Sequence, residues 1–282
     1  MAEMRDIVVW SQDRDIIAAV CEPEAINGDT GFLLVIHGHG NNRFQYAETM
    51  RKWSEEFNLI SICAEYRDSG RDSGLGLKGS RIPYDGNYKQ VMDSLNSLRA
   101  VMLEHPEADQ QRVLVWGGSQ GAGAALICAE YAPNTFAACM ALCGRVRPPE
   151  DNPDDLLPHQ IAIRTVGRWL DRIKCPVLVA HGTADEIVPD SHSREIEEKL
   201  RALGKEVVSE FVEGGDHFLR PHTTRQKVTL KHCRKWLEEY RIEGQTDFER
   251  KAHYDFDCGD VTYRVDFKDG WVSIRPLEEG NL

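Results

Sequence analysis

Val113-Leu114-Val115-Trp116-Gly117-Gly118-Ser119-Gln120-Gly121-Ala122-Gly123-Ala124-Ala125-Leu126-Ile127 passes from a short apolar run to a helix-prone one through a glycine-rich corner. Residues 112–116 read as a strand and 122–130 as a helix. Between them Gly117-Gly118-Ser119-Gln120-Gly121 fits G-x-S-x-G, the turn that lifts a serine hydroxyl above a sheet edge. Such a corner strains the serine backbone, and a side chain at 117 or 121 would collide with the adjoining helix or strand. The alternative, a glycine-rich turn that holds phosphate at a helix N-terminus, lacks both G-x-G-x-x-G and a Walker lysine.

Outward from this corner, short apolar runs alternate with longer periodic segments between residues 31 and 240. Further strands are expected at 32–36, 59–64, 137–143, 176–180 and 207–212, and most are continuously hydrophobic, as strands covered on both faces are. Val91, Leu95, Leu98 and Met102 recur at helical spacing, so 87–104 is expected to be a helix on the sheet. Others are expected at 193–203, ending at Gly204, and at 223–240. The alternation predicts an α/β fold with a mostly parallel sheet and helices on both faces. The runs 7–10 and 16–21 read as an antiparallel hairpin at the sheet edge.

Two segments depart from the alternation. Residues 145–174 open with Pro148, Pro149 and Pro153 and turn helical around 163–173, a candidate small cap over one end of the sheet. After Gly244 the pattern becomes strand-like: Val261, Tyr263, Val265 and Phe267 share one face, Lys268-Asp269-Gly270 turns, and 271–274 returns. The expected organisation is a main domain over 1–244 and a C-terminal β-extension over 245–282.

The chain has 282 residues, 41% of them hydrophobic, and a net charge of -12, in the range of one globular domain whose field repels nucleic acid and anionic lipid. No apolar run is long enough to cross a bilayer, and the N-terminal residues do not form a signal peptide. A cytoplasmic protein without membrane or nucleic-acid partners is expected. The cysteines, Cys21, Cys63, Cys128, Cys139, Cys143, Cys175, Cys233 and Cys258, sit mostly in apolar segments and read as buried thiols in a reducing compartment. No metal is implied, because Cys139-x-x-x-Cys143 has no companion ligand pair.

A serine hydroxyl needs a base oriented by a carboxylate. Asp185 follows the 176–180 strand in His181-Gly182-Thr183-Ala184-Asp185, and His217 follows the 207–212 strand in Gly214-Gly215-Asp216-His217. Strand ends of one polarity share a sheet edge, so Ser119, Asp185 and His217 are expected to converge there as nucleophile, orienting acid and base. Glu186 and Asp190 are alternative acids; Asp216 fits less well, since neighbouring side chains on extended backbone point apart. An oxyanion needs two backbone donors, and the amides of Gln120 and of His39, in His37-Gly38-His39-Gly40 after the 32–36 strand, are the candidates. The rival for the two histidines is a metal site, and a pocket-lining role for the His39 imidazole stays open.

His37-Gly38-x-Gly40, Gly117-x-Ser119-x-Gly121, Gly182-x-x-Asp185-x-x-Val188-Pro189 and Gly215-Asp216-His217 together resemble the α/β-hydrolase superfamily over about residues 15–240. With Tyr66-Arg67-Asp68-Ser69-Gly70 they are similar to its acetyl xylan esterase, dienelactone hydrolase and prolyl oligopeptidase-like branch. Acetyl xylan esterases show Arg-Gly-Gln and His-Glu where this chain has Arg67-Asp68-Ser69 and His217-Phe218. The resemblance implies a carboxylic ester hydrolase of small-molecule esters acting through an acyl-enzyme on Ser119, with no cofactor. A small peptidase or thioesterase is the alternative within enzymes, and a non-catalytic binding protein the one outside them. Residues 67–84 and 156–170 are expected to wall the pocket, where Arg67, Arg71 and Arg81 either bind an anionic group or form structural ion pairs. Strand edges in the extension could pair with a second copy, so a homo-oligomer stays open.

Overall fold

The computed structural model describes residues 2–68, 85–147 and 155–277. Its centre is an eight-stranded sheet. β1 (Glu3–Ser11) and β2 (Arg14–Glu22) form the expected hairpin, and β3 (Gly31–Ile36), β4 (Leu59–Ala64), β5 (Val113–Gly118), β6 (Ala138–Leu142), β7 (Val177–Gly182) and β8 (Val207–Val212) complete the order β1-β2-β4-β3-β5-β6-β7-β8. β2 runs antiparallel to β1 and β4, and the remaining pairs are parallel.

Alternation along each strand divides the core between two faces. Phe32, Leu34, Ile36, Val113 and Val115 point to one, under α2 (Lys89–Glu104) and α3 (Gln120–Tyr131), and Ile196 and Leu200 of α5 (Ser191–Ala202) join the same cluster. Leu33, Val35, Leu114 and Trp116 point to the other, where α1 (Ala47–Phe57) and α6 (Arg225–Glu239) lie. The continuous apolar runs are therefore strands buried on both sides. All eight cysteines are buried and free. Among the described residues, no helix is long and apolar enough to cross a membrane.

The parallel register positions the site. Ile36 is level with Gly117, Gly118 with Leu142, and Gly182 with Val212. The loops after β3, β5, β6, β7 and β8 therefore emerge along one edge.

The segment 145–174 differs from its expectation. In place of a helix around 163–173 there is α4 (Pro158–Ile163), and later one 3₁₀ turn, Leu170–Arg172. Gly167 between them has φ +87, a conformation that interrupts a right-handed helix. The segment packs on α3: Tyr131 donates its hydroxyl to the Ile163 carbonyl (2.7 Å), and Val166 lies against Gly123.

Residues 247–276 form α7 (Asp247–Arg250), then β9 (His253–Asp257), β10 (Thr262–Asp266) and β11 (Ser273–Pro276) in an antiparallel sheet ordered β11-β10-β9. β9 is absent from the sequence-based expectation. The small sheet is built into the main core, since Phe248, Phe256, Val265 and Phe267 join the α2–α3 cluster. It is tied by the buried Asp247 carboxylate, which accepts hydrogen bonds from the Asn134 amide (2.8 Å), Asn134 Nδ2 (2.8 Å) and the Tyr254 hydroxyl (2.6 Å).

α3 also buries Glu130, whose Oε1 accepts the Gly167 amide at 3.1 Å while Oε2 has no partner among the described residues. Burial pushes this carboxyl up to about 8. Folded protein thus holds Glu130 protonated at neutral pH, whereas the unfolded chain ionises it near the ordinary value. The stability this group contributes is complete below that ordinary value and is lost as pH rises through the folded-state value. Glu130→Gln should gain on wild type by about 1.4 kcal/mol per pH unit between about pH 5 and about pH 8, read by urea unfolding. A difference independent of pH would show that the carboxyl does not titrate this way.

Candidate active site

Ser119 stands at the crossing from β5 to α3 with φ 62 and ψ -127, a strained geometry for a residue with a Cβ. The glycines around it are required by close approach: a Cβ at Gly117 would lie 2.1 Å from the Gly121 carbonyl oxygen, and one at Gly121 2.1 Å from that of Ile36. The Ser119 amide donates to the Leu142 carbonyl at 2.9 Å. The elbow is thereby fixed to β6.

The structure brings Ser119, His217 and Asp185 into one hydrogen-bonded chain. Ser119 Oγ lies 2.9 Å from His217 Nε2, and His217 Nδ1 lies 2.7 Å from Asp185 Oδ2. A carboxylate only accepts, so the imidazole carries its proton on Nδ1 and turns the Nε2 lone pair toward the serine hydroxyl. Asp185 and His217 are buried. Burial lowers the His217 pKa, the Asp185 hydrogen bond raises it, and the Arg225 charge lowers it again, leaving it below the ordinary value. The imidazole is neutral at neutral pH. Burial would raise the Asp185 carboxyl, but the Val188 amide, His217 and the Ile187 amide hold it below the usual range.

The other carboxylates near these loops do not take the place of Asp185. Asp190 pairs with Arg194 (2.8 Å), Glu186 is exposed, and Asp216 accepts the Phe218 and Arg220 amides at 2.8 Å, shaping the turn that presents His217. A second histidine, absent from the sequence-based set, reaches Asp185: His181 Nε2 lies 3.0 Å from Oδ2 and 2.9 Å from the Val188 carbonyl, and its Nδ1 lies 2.6 Å from Ser193 Oγ. Its signal in the sequence is its place at the end of β7, four residues before the acid.

The loop after β3 lies against Ser119, with a Cβ at Gly38 3.4 Å from that of Ser119. Gly38 commits its amide to Gln45 Oε1 at 2.7 Å, and His39 is this loop's candidate donor. Gln120 is the first residue of α3, where backbone N–H groups point out of the helix. His39 Nδ1 lies 3.2 Å from Gln120 Oε1, while Gln120 Nε2 donates to Asn87 Oδ1 and Gln90 Oε1 at 2.9 Å each. The two candidate residues are thus linked through their side chains. His37 is buried, stacked 3.9 Å from the Tyr66 ring, and burial lowers its pKa to about 4.

Arg67 takes the structural alternative. Its side chain is buried and makes two 2.8 Å bonds to Asp93 and one of 2.7 Å to Asp13. Arg71 and Arg81, with the rest of the expected wall from 69 to 84, lie outside the described residues, as do 148–154.

The pattern that defines the dienelactone hydrolase family matches residues 83–242. Uncharacterized peptidase YtmA of Bacillus subtilis (strain 168) is 24% identical over 162 residues, which are 52% of this chain and 62% of that protein. Uncharacterized protein YfhR of Escherichia coli (strain K12) is 25% identical over 190 residues, 63% of this chain and 60% of that protein. The match thus spans about 60% of the length of these curated relatives. Among solved structures, the acylaminoacyl peptidase of Pyrococcus horikoshii superposes with TM-score 0.69 at 17% identity over 86% of this chain and 43% of its own. An S-formylglutathione hydrolase from Agrobacterium tumefaciens gives 0.64 at 19%, covering 86% of this chain and 96% of its own. These likenesses show the shared α/β-hydrolase fold.

Proposed function

Because the chain belongs to the dienelactone hydrolase family, we propose that it is a serine hydrolase that cleaves a carboxylic ester of a small molecule through an acyl-enzyme on Ser119. One observation carries the reading: the continuous 2.9 Å and 2.7 Å chain from Ser119 through His217 to Asp185. His217 Nε2 takes the hydroxyl proton as Oγ attacks the ester carbonyl, and Asp185 stabilises the imidazolium that forms. The amides of Gln120 and His39 receive the oxyanion. Collapse returns the proton to the departing alcohol and leaves the acyl group on Ser119. Water, deprotonated by His217, then releases the acid and restores the serine.

The same groups cleave amides, and the likeness to YtmA and to the Pyrococcus peptidase favours a peptidase as the second reading. Pocket contacts, not the triad, decide between them. Short-chain p-nitrophenyl esters, acyl-CoA thioesters and aminoacyl-amides compared by kcat/KM form the test. A short-chain ester is expected to give the highest value. An aminoacyl-amide exceeding every ester would assign the protein to the peptidases instead.

A further inference from the structure

Behind the elbow lies a cation that the reaction scheme does not use. Arg225, the first residue of α6, is buried, with 4% of its surface exposed. No carboxylate pairs with it among the described residues, and its Nε has no partner there. Its contacts are Tyr46 Oη (3.2 Å), the His217 carbonyl (2.5 Å), the Cys143 thiol and the face of the Phe218 ring. Two terms oppose a charge in this position. Desolvation disfavours a buried guanidinium without a counter-charge, and the positive end of a helix disfavours a cation in its first turn. Neither term explains why an arginine belongs here.

What the guanidinium touches supplies the reason. One arm holds the main chain of His217. Nη1 also fills the space beside Gly118, the residue before the nucleophile, where a Cβ would come within 2.5 Å of it. Tyr46 Oη reaches the same spot, 2.7 Å from that Cβ. A second link runs through the Arg225 carbonyl, which accepts from Thr229 Oγ1 at 2.9 Å. Thr229 Oγ1 in turn accepts from Trp116 Nε1 at 2.9 Å, on the strand that leads into the elbow.

We propose that Arg225 is a positioning residue that clamps the His217 loop to the back of the Ser119 elbow, so that base and nucleophile are held by one side chain. The inference rests on the serine hydrolase reading and deepens it. A long, planar, multi-donor cation suits the task because it bonds in several directions at once, which an ammonium on a single stem does not match. The groups facing His217 are Asp185 from the β7 loop, His181 from the end of β7, Ser119 from the elbow, the neutral Phe218 ring and Arg225 from α6. After burial, which lowers the His217 pKa most, Arg225 and His181 are the groups that disfavour a protonated imidazole. The clamp therefore also extends the neutral form of the base toward acid pH.

The test is the rate at which a fluorophosphonate probe modifies wild type, Arg225→Lys and Arg225→Gln, followed against pH with thermal unfolding measured in parallel. Labelling should slow about tenfold in the lysine variant and about 100-fold in the glutamine variant, the scale of misplacing a catalytic group by about 1 Å. The acid-side midpoint should rise by about half a pH unit or more in Arg225→Gln, since a cation near the imidazole is gone. Where the glutamine variant does not fold, the lysine variant decides. Folded variants that label at the wild-type rate with the wild-type midpoint would overturn the proposal, whatever their melting temperatures. Failure of the wild type to label would instead remove the hydrolase reading on which it rests.

Discussion

Ser119→Ala should lower kcat by about 10⁴-fold or more and abolish labelling by a fluorophosphonate, while the fold stays intact. The size follows from what the hydroxyl does. Without Oγ there is no atom 2.9 Å from His217 Nε2 to attack a carbonyl, and removing the nucleophile of a triad costs about as much as removing the whole set. The fold should survive because the elbow is held by other contacts. The Ser119 amide is bonded to Leu142, and Gly117 and Gly121 permit the backbone approach. Alanine meets the same strain at φ 62 that serine already bears. Labelling that is equal in variant and wild type would falsify Ser119 as the nucleophile, and circular dichroism separates that outcome from unfolding.

The readable part of this molecule was the part governed by local rules. The apolar runs at 32–36 and 59–64 announce burial on both faces, and the structure places fully buried strands there. Ser119, Asp185 and His217 stood out because each follows a strand and belongs to a residue type that the chemistry requires. Other elements owe their form to partners distant in the chain. α1 presents Met50, Trp53 and Phe57 to the core from among charged residues, a helical spacing that is easily lost in a polar segment. β9, His253-Tyr254-Asp255-Phe256-Asp257, fully buries Phe256 alone and gets its order from pairing with β10. Helix formation at 163–173 is stopped by the Gly167 conformation. Arg225 acts through tertiary contacts that residue type and spacing do not reveal, and His181 shows in the sequence only by its place at the end of β7, four residues before Asp185.

Those contacts sharpen what Asp185→Asn should do. Asp185 Oδ1 accepts two amides, Ile187 and Val188, each at 2.9 Å, and Oδ2 faces His217 Nδ1 and His181 Nε2. An asparagine in this cradle has one orientation that satisfies the two backbone donors. Its oxygen must face the two backbone donors, which sends the NH₂ toward both imidazoles. His217 Nδ1 then becomes an acceptor, the ring proton moves to Nε2, and the nitrogen beside Ser119 no longer has a lone pair to take the hydroxyl proton. The geometry is preserved and the tautomer is wrong, a change that lowers kcat by about 10⁴-fold in serine hydrolases. KM should change little, because Asp185 is buried behind the histidine. Fluorophosphonate labelling should slow in parallel with kcat, since it needs the same base. A loss below about tenfold would mean that Asp185 does not set the tautomer of His217.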